Sequence, residues 1–372
     1  MMNNVETMNG IEKQNKKLGR RIKKSFFSRV SAFLLFAQLL ILLVPFSEVL
    51  AAQVTIDAAI STTTTEHSMM GASSVWVNDH VGYKFYVDTT GTCVYSKSVN
   101  GGTTWAAAIN IDSNTSCFGV TVWYDRWTPG DNGNYIHILT TDITPSDDTW
   151  YNRLDTTNDE RLLAATPTST IASNGQTPAL TLGANKASIT KSTDGTLYVS
   201  LNDDTDSFVV ECSSDCGVNS SWTETGTNPM DNIANDFSFL MPLSGGDIIL
   251  INRDASADDI RSKVWDDSAG SWSGTWTTID GGAFENAGYD KSFAAAVNIN
   301  TGVIYLAYTN LETGGTLDGN NDDIKTASYS ATSSTWTART AFVTNSTRGL
   351  TELSVGIDSN TGTVYVAYAG QA

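Results

Sequence analysis

From residue 82 onward, apolar and polar positions alternate in short runs, and each run opens on a glycine. The two clearest copies are Asn300-Thr301-Gly302-Val303-Ile304-Tyr305-Leu306-Ala307-Tyr308 and Asn360-Thr361-Gly362-Thr363-Val364-Tyr365-Val366-Ala367-Tyr368. The same pattern starts at Gly82, Gly133, Gly195 and Gly246, so successive copies lie 51, 62, 51, 56 and 60 residues apart. A period of two marks a half-buried strand rather than a helix. Turn residues such as Asp194-Gly195 and Gly245-Gly246 predict that each glycine marks a hairpin.

A further strand is predicted before the hairpin, over 118–123, 237–240, 293–297 and 353–357. A third follows the glycine-led one, over 92–98, 149–154, 208–212, 260–265 and 324–330. A polar turn and a fourth strand then close the unit, and Trp105, Trp222, Trp272 and Trp336 mark that fourth strand in the first, third, fourth and fifth units. Four short strands at this period describe propeller blades, which bury their faces only against one another. The prediction is an all-β β-propeller of four-stranded antiparallel blades, about six in number, in preference to a β-sandwich array or a β-solenoid. Five full units and the first hairpin of a sixth fit before Ala372, so an incomplete ring is expected.

One turn carries a motif. Ser98-Val99-Asn100-Gly101-Gly102-Thr103-Thr104-Trp105 reads S-x-N-x-G-x-T-W. It resembles the Asp-box of the sialidase-like (BNR-repeat) β-propellers, with Asn where Asp is usual. Ser98, Asn100, Gly102, Thr104 and Trp105 are its structural positions. A short polar side chain there bonds backbone N–H groups across the turn, glycine adopts angles that other residues resist, and the Trp packs beneath. The resemblance covers most of the chain after residue 53 through the repeats.

Residues 1–51 hold eight Lys or Arg against three Glu, and 30–47 carry no charge. With Val49-Leu50-Ala51 as a small-x-small site, 1–52 reads as a signal peptide, or as a membrane anchor if it stays uncleaved. The second domain, the expected sialidase-like propeller over 53–372, incomplete at its C-terminus, then lies outside the cytoplasm, secreted or at the cell surface. The chain's net charge is −18, and without its basic leader the remainder carries −23. Such a surface excludes nucleic acid as a partner, because phosphates need Lys and Arg. A monomer is expected, with membrane contact only through the leader. Cys93, Cys117, Cys212 and Cys216 allow three disulfide connectivities, and proximity in sequence favours Cys93–Cys117 with Cys212–Cys216. His67, His80 and His137 are scattered and receive no role.

In sialidase-like propellers the ligand face is formed by the second-to-third loops and the blade-to-blade connections. By this resemblance the candidate ligand-face residues are Asp236, Arg253, Glu285, Tyr289, Asp290 and Arg348. Asp318, Asn320 and Asp322 space three oxygen ligands like the start of a calcium loop, although the later Gly and Glu of that pattern are missing. Calcium is the one cofactor the sequence suggests. Sialidases hold the substrate carboxylate with three arginines. Only seven arginines follow the leader here, and Arg253 and Arg348 alone are expected at the channel. No catalytic residue is assigned. The expected function is binding of an extracellular glycan or protein. The alternatives are an exo-sialidase-type glycoside hydrolase with a diverged site and a surface-anchored adhesive repeat protein.

Overall fold

The computed structural model describes residues 54–59, 71–111, 117–142, 149–161, 186–202, 207–226, 229–230, 237–254, 257, 259–281, 293–311, 322–346 and 350–370. Within Val54–Ala372, which forms one compact unit, the described residues contain strands and short 3-10 turns and no α-helix. The first sheet holds β1 (Ser74–Trp76), β2 (Gly82–Val87), β3 (Cys93–Ser98) and β4 (Ile109–Asn110). The second holds β5 (Cys117–Tyr124), β6 (Tyr135–Asp142), β7 (Thr149–Asp155) and β8 (Glu160–Arg161). The third holds β9 (Lys186–Lys191), β10 (Leu197–Asn202), β11 (Ser207–Cys212) and β12 (Thr223–Glu224). In the fourth, β13 (Phe237–Pro242), β14 (Ile248–Asp254) and β15 (Asp259–Asp266) are followed by β16 (Ser271–Trp272) and β17 (Thr277–Gly281), both paired with β15. The fifth holds β18 (Phe293–Val297), β19 (Ile304–Leu311), β20 (Asp322–Ser330) and β21 (Thr335–Ser346). A sixth sheet pairs β22 (Leu350–Asp358) with β23 (Thr363–Gly370). Every pairing is antiparallel between sequence neighbours, apart from the split outer strand of the fourth sheet.

Burial is greatest in the inner strands of the second and fourth sheets and least in the short outer strands of the first and third. β5, β13 and β14 are buried along their whole length, whereas β4 and β12 are exposed. A strand covered on both faces needs apolar residues at every position, as in Ile248-Ile249-Leu250-Ile251, and loses the alternation of a one-sided strand. The covering surfaces are neighbouring sheets. Val75, Tyr83, Phe85 and Tyr95 of the first sheet pack with Val120, Val122, Ile136 and Ile138 of the second. Ile189, Val199, Phe239, Ile251, Phe293 and Leu306 continue one core through the third, fourth and fifth. Phe239 and Phe293 stack across it at 4.7 Å between ring centroids. Leu353, Val355 and Val366 pack the sixth sheet on Ala307 and Ile324 of the fifth.

Polar ties reinforce each junction. Trp272 Nε1 donates to the Thr225 carbonyl of the third sheet at 3.0 Å, and Trp336 Nε1 donates to Ser262 Oγ of the fourth at 2.8 Å. The outer-strand tryptophans therefore fasten a sheet to its predecessor. Two tryptophans differ from the expectation: Trp222 directly precedes β12, and Trp105 precedes β4 and lies outside any strand. Its ring meets the Trp76 edge at 6.0 Å between centroids at the end of the sheet. Both disulfides, Cys93–Cys117 and Cys212–Cys216, are formed. The first joins β3 to β5 and so cross-links two sheets.

Candidate ligand faces

In an antiparallel meander, second-to-third loops lie at one end of a sheet, and first-to-second and third-to-fourth turns lie at the other. At the first end, Asp236, Glu285, Tyr289, Asp290, Arg348, Asp318 and Asn320 fall outside the described residues. Asp322 begins β20, with its backbone in register with Leu311 and Ser346. Arg253 lies near the end of β14, opposite Phe237 and Ile260. It is 1% exposed, with its guanidinium 5.6 Å from the Phe237 ring centroid. Arg261 pairs with Asp254. The β14–β15 register explains this, because Asn252 directly opposes Arg261 and accepts from its Nε at 3.0 Å, two residues from Asp254. Among the described residues, no group of three or more His, Cys, Asp or Glu is arranged to hold a metal ion.

The second end is built from polar turns. At the Asp-box-like turn, Asn100 Oδ1 accepts the Thr104 N–H at 2.9 Å, and Asn100 Nδ2 donates to Thr104 Oγ1 at 2.8 Å. Ser98 Oγ accepts the Gly102 N–H at 2.9 Å. Gly101 and Gly102 adopt φ of 68° and 81°, which favours glycine. Asn298 and Asp358 shape their hairpins alike, each accepting the N–H two residues on, from Asn300 and Asn360.

Between the second and third sheets, this end contains a buried polar chain that the sequence reading did not assign. Asp125, just after β5, is 1% exposed. Its Oδ1 accepts from His137 Nε2 at 2.9 Å and from Lys191 Nζ at 2.6 Å, and its Oδ2 accepts the Tyr135 N–H at 2.8 Å. Lys191 also reaches Asp131 at 2.8 Å. Burial pushes the Asp125 carboxyl up, but the His137, Lys191 and Tyr135 contacts outweigh it and hold the carboxyl at about 2. Burial holds His137 below its ordinary value despite Asp125, so the ring is neutral at pH 7. An ionised carboxylate can only accept, so the ring proton sits on Nε2, and Nδ1 accepts from Tyr151 O–H at 2.8 Å. Lys191 is half-buried and raised: desolvation lowers it, and the bonds to Asp125 and Asp131 more than reverse that. A Cβ on Gly133 would stand 2.1 Å from Asp125 Oδ2. The recurrent glycine is needed here because the carboxylate occupies that space.

Beside this chain, the turns of the second to fifth sheets surround a cleft of 690 Å³. Arg126, Asp131 and Asn132 line one side, Ser244 and Gly245 the middle, and Asn300 to Gly302 the other. Arg126 is held by the Gly133 carbonyl at 3.2 Å and Asn134 Oδ1 at 2.7 Å.

No family model matches the chain, and no curated protein matches it. Solved structures do. The NanB sialidase of Streptococcus pneumoniae matches in a complex with optactamide at a TM-score of 0.51 and 10% identity, over 86% of this chain and 67% of that one. A polysaccharide lyase of family PL25, an ulvan lyase, matches at 0.49 and 10% identity, over 86% and 82%. The Aleuria aurantia lectin bound to Fucα1-6GlcNAc matches at 0.45 and 14% identity, over 78% and 84%. At such identities, the likeness to the sialidase is one of fold.

Proposed function

We propose that this chain is an exported, sialidase-like β-propeller that binds a glycan at the channel mouth formed by its second-to-third loops and inter-sheet connections, and that it does not hydrolyse sialosides. The fold likeness to a sialidase supports the architecture, and the two disulfides suit an oxidising compartment. The observation that carries the non-hydrolytic reading is the state of the described arginines. A sialic acid carboxylate needs bidentate guanidinium partners. Arg126 serves a turn, and Arg153 lies over the Tyr135 ring at 5.0 Å. Arg161 donates to the Ile111 carbonyl at 3.0 Å, Arg261 pairs with Asp254, and Arg253 is buried on Phe237. A surface with this much negative charge also repels an anionic sugar. The loop residues Asp236, Glu285, Tyr289 and Asp290 then act as hydrogen-bonding groups for sugar hydroxyls.

The test is a glycan array together with a fluorogenic sialoside assay. Retention of at least one glycan and no sialoside turnover are expected. Turnover that disappears in Arg253→Ala or Arg348→Ala would replace this reading with a hydrolase.

A further inference from the structure

A glycine after Asn or Asp leaves its backbone nitrogen unshielded, because it has no Cβ. That nitrogen can attack the preceding side-chain carbonyl, provided the side chain is free to turn into a near-attack geometry. Four such pairs lie among the described residues: Asn100-Gly101, Asn132-Gly133, Asp194-Gly195 and Asp280-Gly281. The fold ties three of them. Asn100 is bonded to Thr104 through both ends of its carboxamide. Asp194 Oδ1 accepts the Thr196 N–H at 3.0 Å, and its Oδ2 accepts from Thr196 Oγ1 at 3.1 Å. Asp280 Oδ2 accepts from Tyr308 O–H at 3.0 Å and from Lys325 Nζ at 3.4 Å.

Asn132 is the exception. It is exposed on the wall of the cleft, and its carboxamide has no hydrogen-bond partner among the described residues. The nucleophile differs too. The Gly133 N–H donates to Asp131 Oδ1 at 2.7 Å, whereas the Gly101 N–H donates to the neutral His80 carbonyl at 2.9 Å. A carboxylate draws a proton from nitrogen more strongly than a carbonyl does. We propose that Asn132 is a self-modifying site, at which this turn converts its own asparagine to aspartate and isoaspartate. The Gly133 nitrogen bonds to Asn132 Cγ. Its proton passes through Asp131 Oδ1 to the departing amide, which is lost as ammonia. Water then opens the cyclic imide at either carbonyl and leaves a carboxylate on residue 132. Both products add a negative charge beside Asp131. The isoaspartyl product also lengthens the backbone by a carbon just before Gly133, which packs against Asp125 and holds Arg126 Nε through its carbonyl.

The test is peptide mapping by mass spectrometry after the full chain has been incubated in heavy-oxygen water, which marks each carboxylate made by imide opening. The peptide containing Asn132 should gain the label as aspartate and isoaspartate. It should do so at least about tenfold faster than the peptide containing Asn100, where two hydrogen bonds must break before the side chain can turn. In urea the two rates should converge, since both asparagines precede glycine. Asn132→Gln adds a methylene at an exposed position without a partner, disfavours the ring closure, and should abolish the label at 132 with Tm unchanged. Equal rates at Asn132 and Asn100 in the folded chain, label at Asn132 in urea alone, or a rate difference that persists in urea would each overturn the proposal.

Discussion

Replacing Asp125 with Asn tests whether the buried chain between the second and third sheets holds them together. The variant keeps the shape and one acceptor for the Tyr135 N–H, but removes the charge opposite Lys191 and two of the three acceptor interactions, those made by Oδ1 with His137 and Lys191. A carboxyl held at about 2 in place of its ordinary 3.8 stabilises the fold by roughly 2 kcal/mol at neutral pH. Asp125 is 1% exposed, so solvent screening removes little of this. The loss should lower Tm by about 4 °C, at about 2 °C per kcal/mol for a large domain. The pH dependence carries the sign. The folded-state value is depressed, so the contribution is complete above the unfolded value of 3.8 and disappears as pH falls through 2. Urea unfolding of both proteins between pH 7 and pH 2 should therefore show a gap that is constant down to about pH 5 and closes by pH 2. A gap below about 0.5 kcal/mol at pH 7, or one that does not change with pH, would refute this account of Asp125.

Three further outcomes follow from the packing. Gly133→Ala should destabilise by about 2 kcal/mol or more, since its Cβ meets Asp125 Oδ2 at 2.1 Å; in Asp125→Ala the same change should cost much less, and equal costs in both backgrounds would contradict the steric cause. Trp336→Phe removes the donor to Ser262 Oγ and should cost about 1 kcal/mol; an unchanged Tm would show that the tie contributes nothing. Loss of Cys93–Cys117, which are 24 residues apart, should cost about 3 kcal/mol, and loss of Cys212–Cys216, 4 apart, should cost less; the reverse order in chemical denaturation of the two paired Cys→Ala variants would contradict it.

What the sequence revealed was local. Asn298-Ile299-Asn300-Thr301-Gly302 and Asp358-Ser359-Asn360-Thr361-Gly362 build their hairpins from hydrogen bonds two or three residues long, so the turns and flanking strands were legible. Disulfide pairing followed from proximity. The Asp125 chain was not legible, because Lys191 comes from another sheet 66 residues away. His137, with no role in the sequence reading, depends on that same distant geometry. The Arg261–Asp254 pair was not legible either, because strand register brings the two together. Trp105 was placed in a strand by analogy with the later units, yet its ring contact with Trp76 holds it at the sheet end. The cleft arises from turns contributed by four sheets, and nothing in any one repeat announces it.

The most direct measurement is recovery of the bound sugar. The purified protein is incubated with the best-retained glycan from the array, and the glycan is then eluted and weighed by mass spectrometry. A saturable amount of intact glycan is predicted, with no shortened product after prolonged incubation. Failure to retain any glycan, or elution of cleaved fragments in quantities exceeding the protein, would contradict a glycan-binding propeller without hydrolysis.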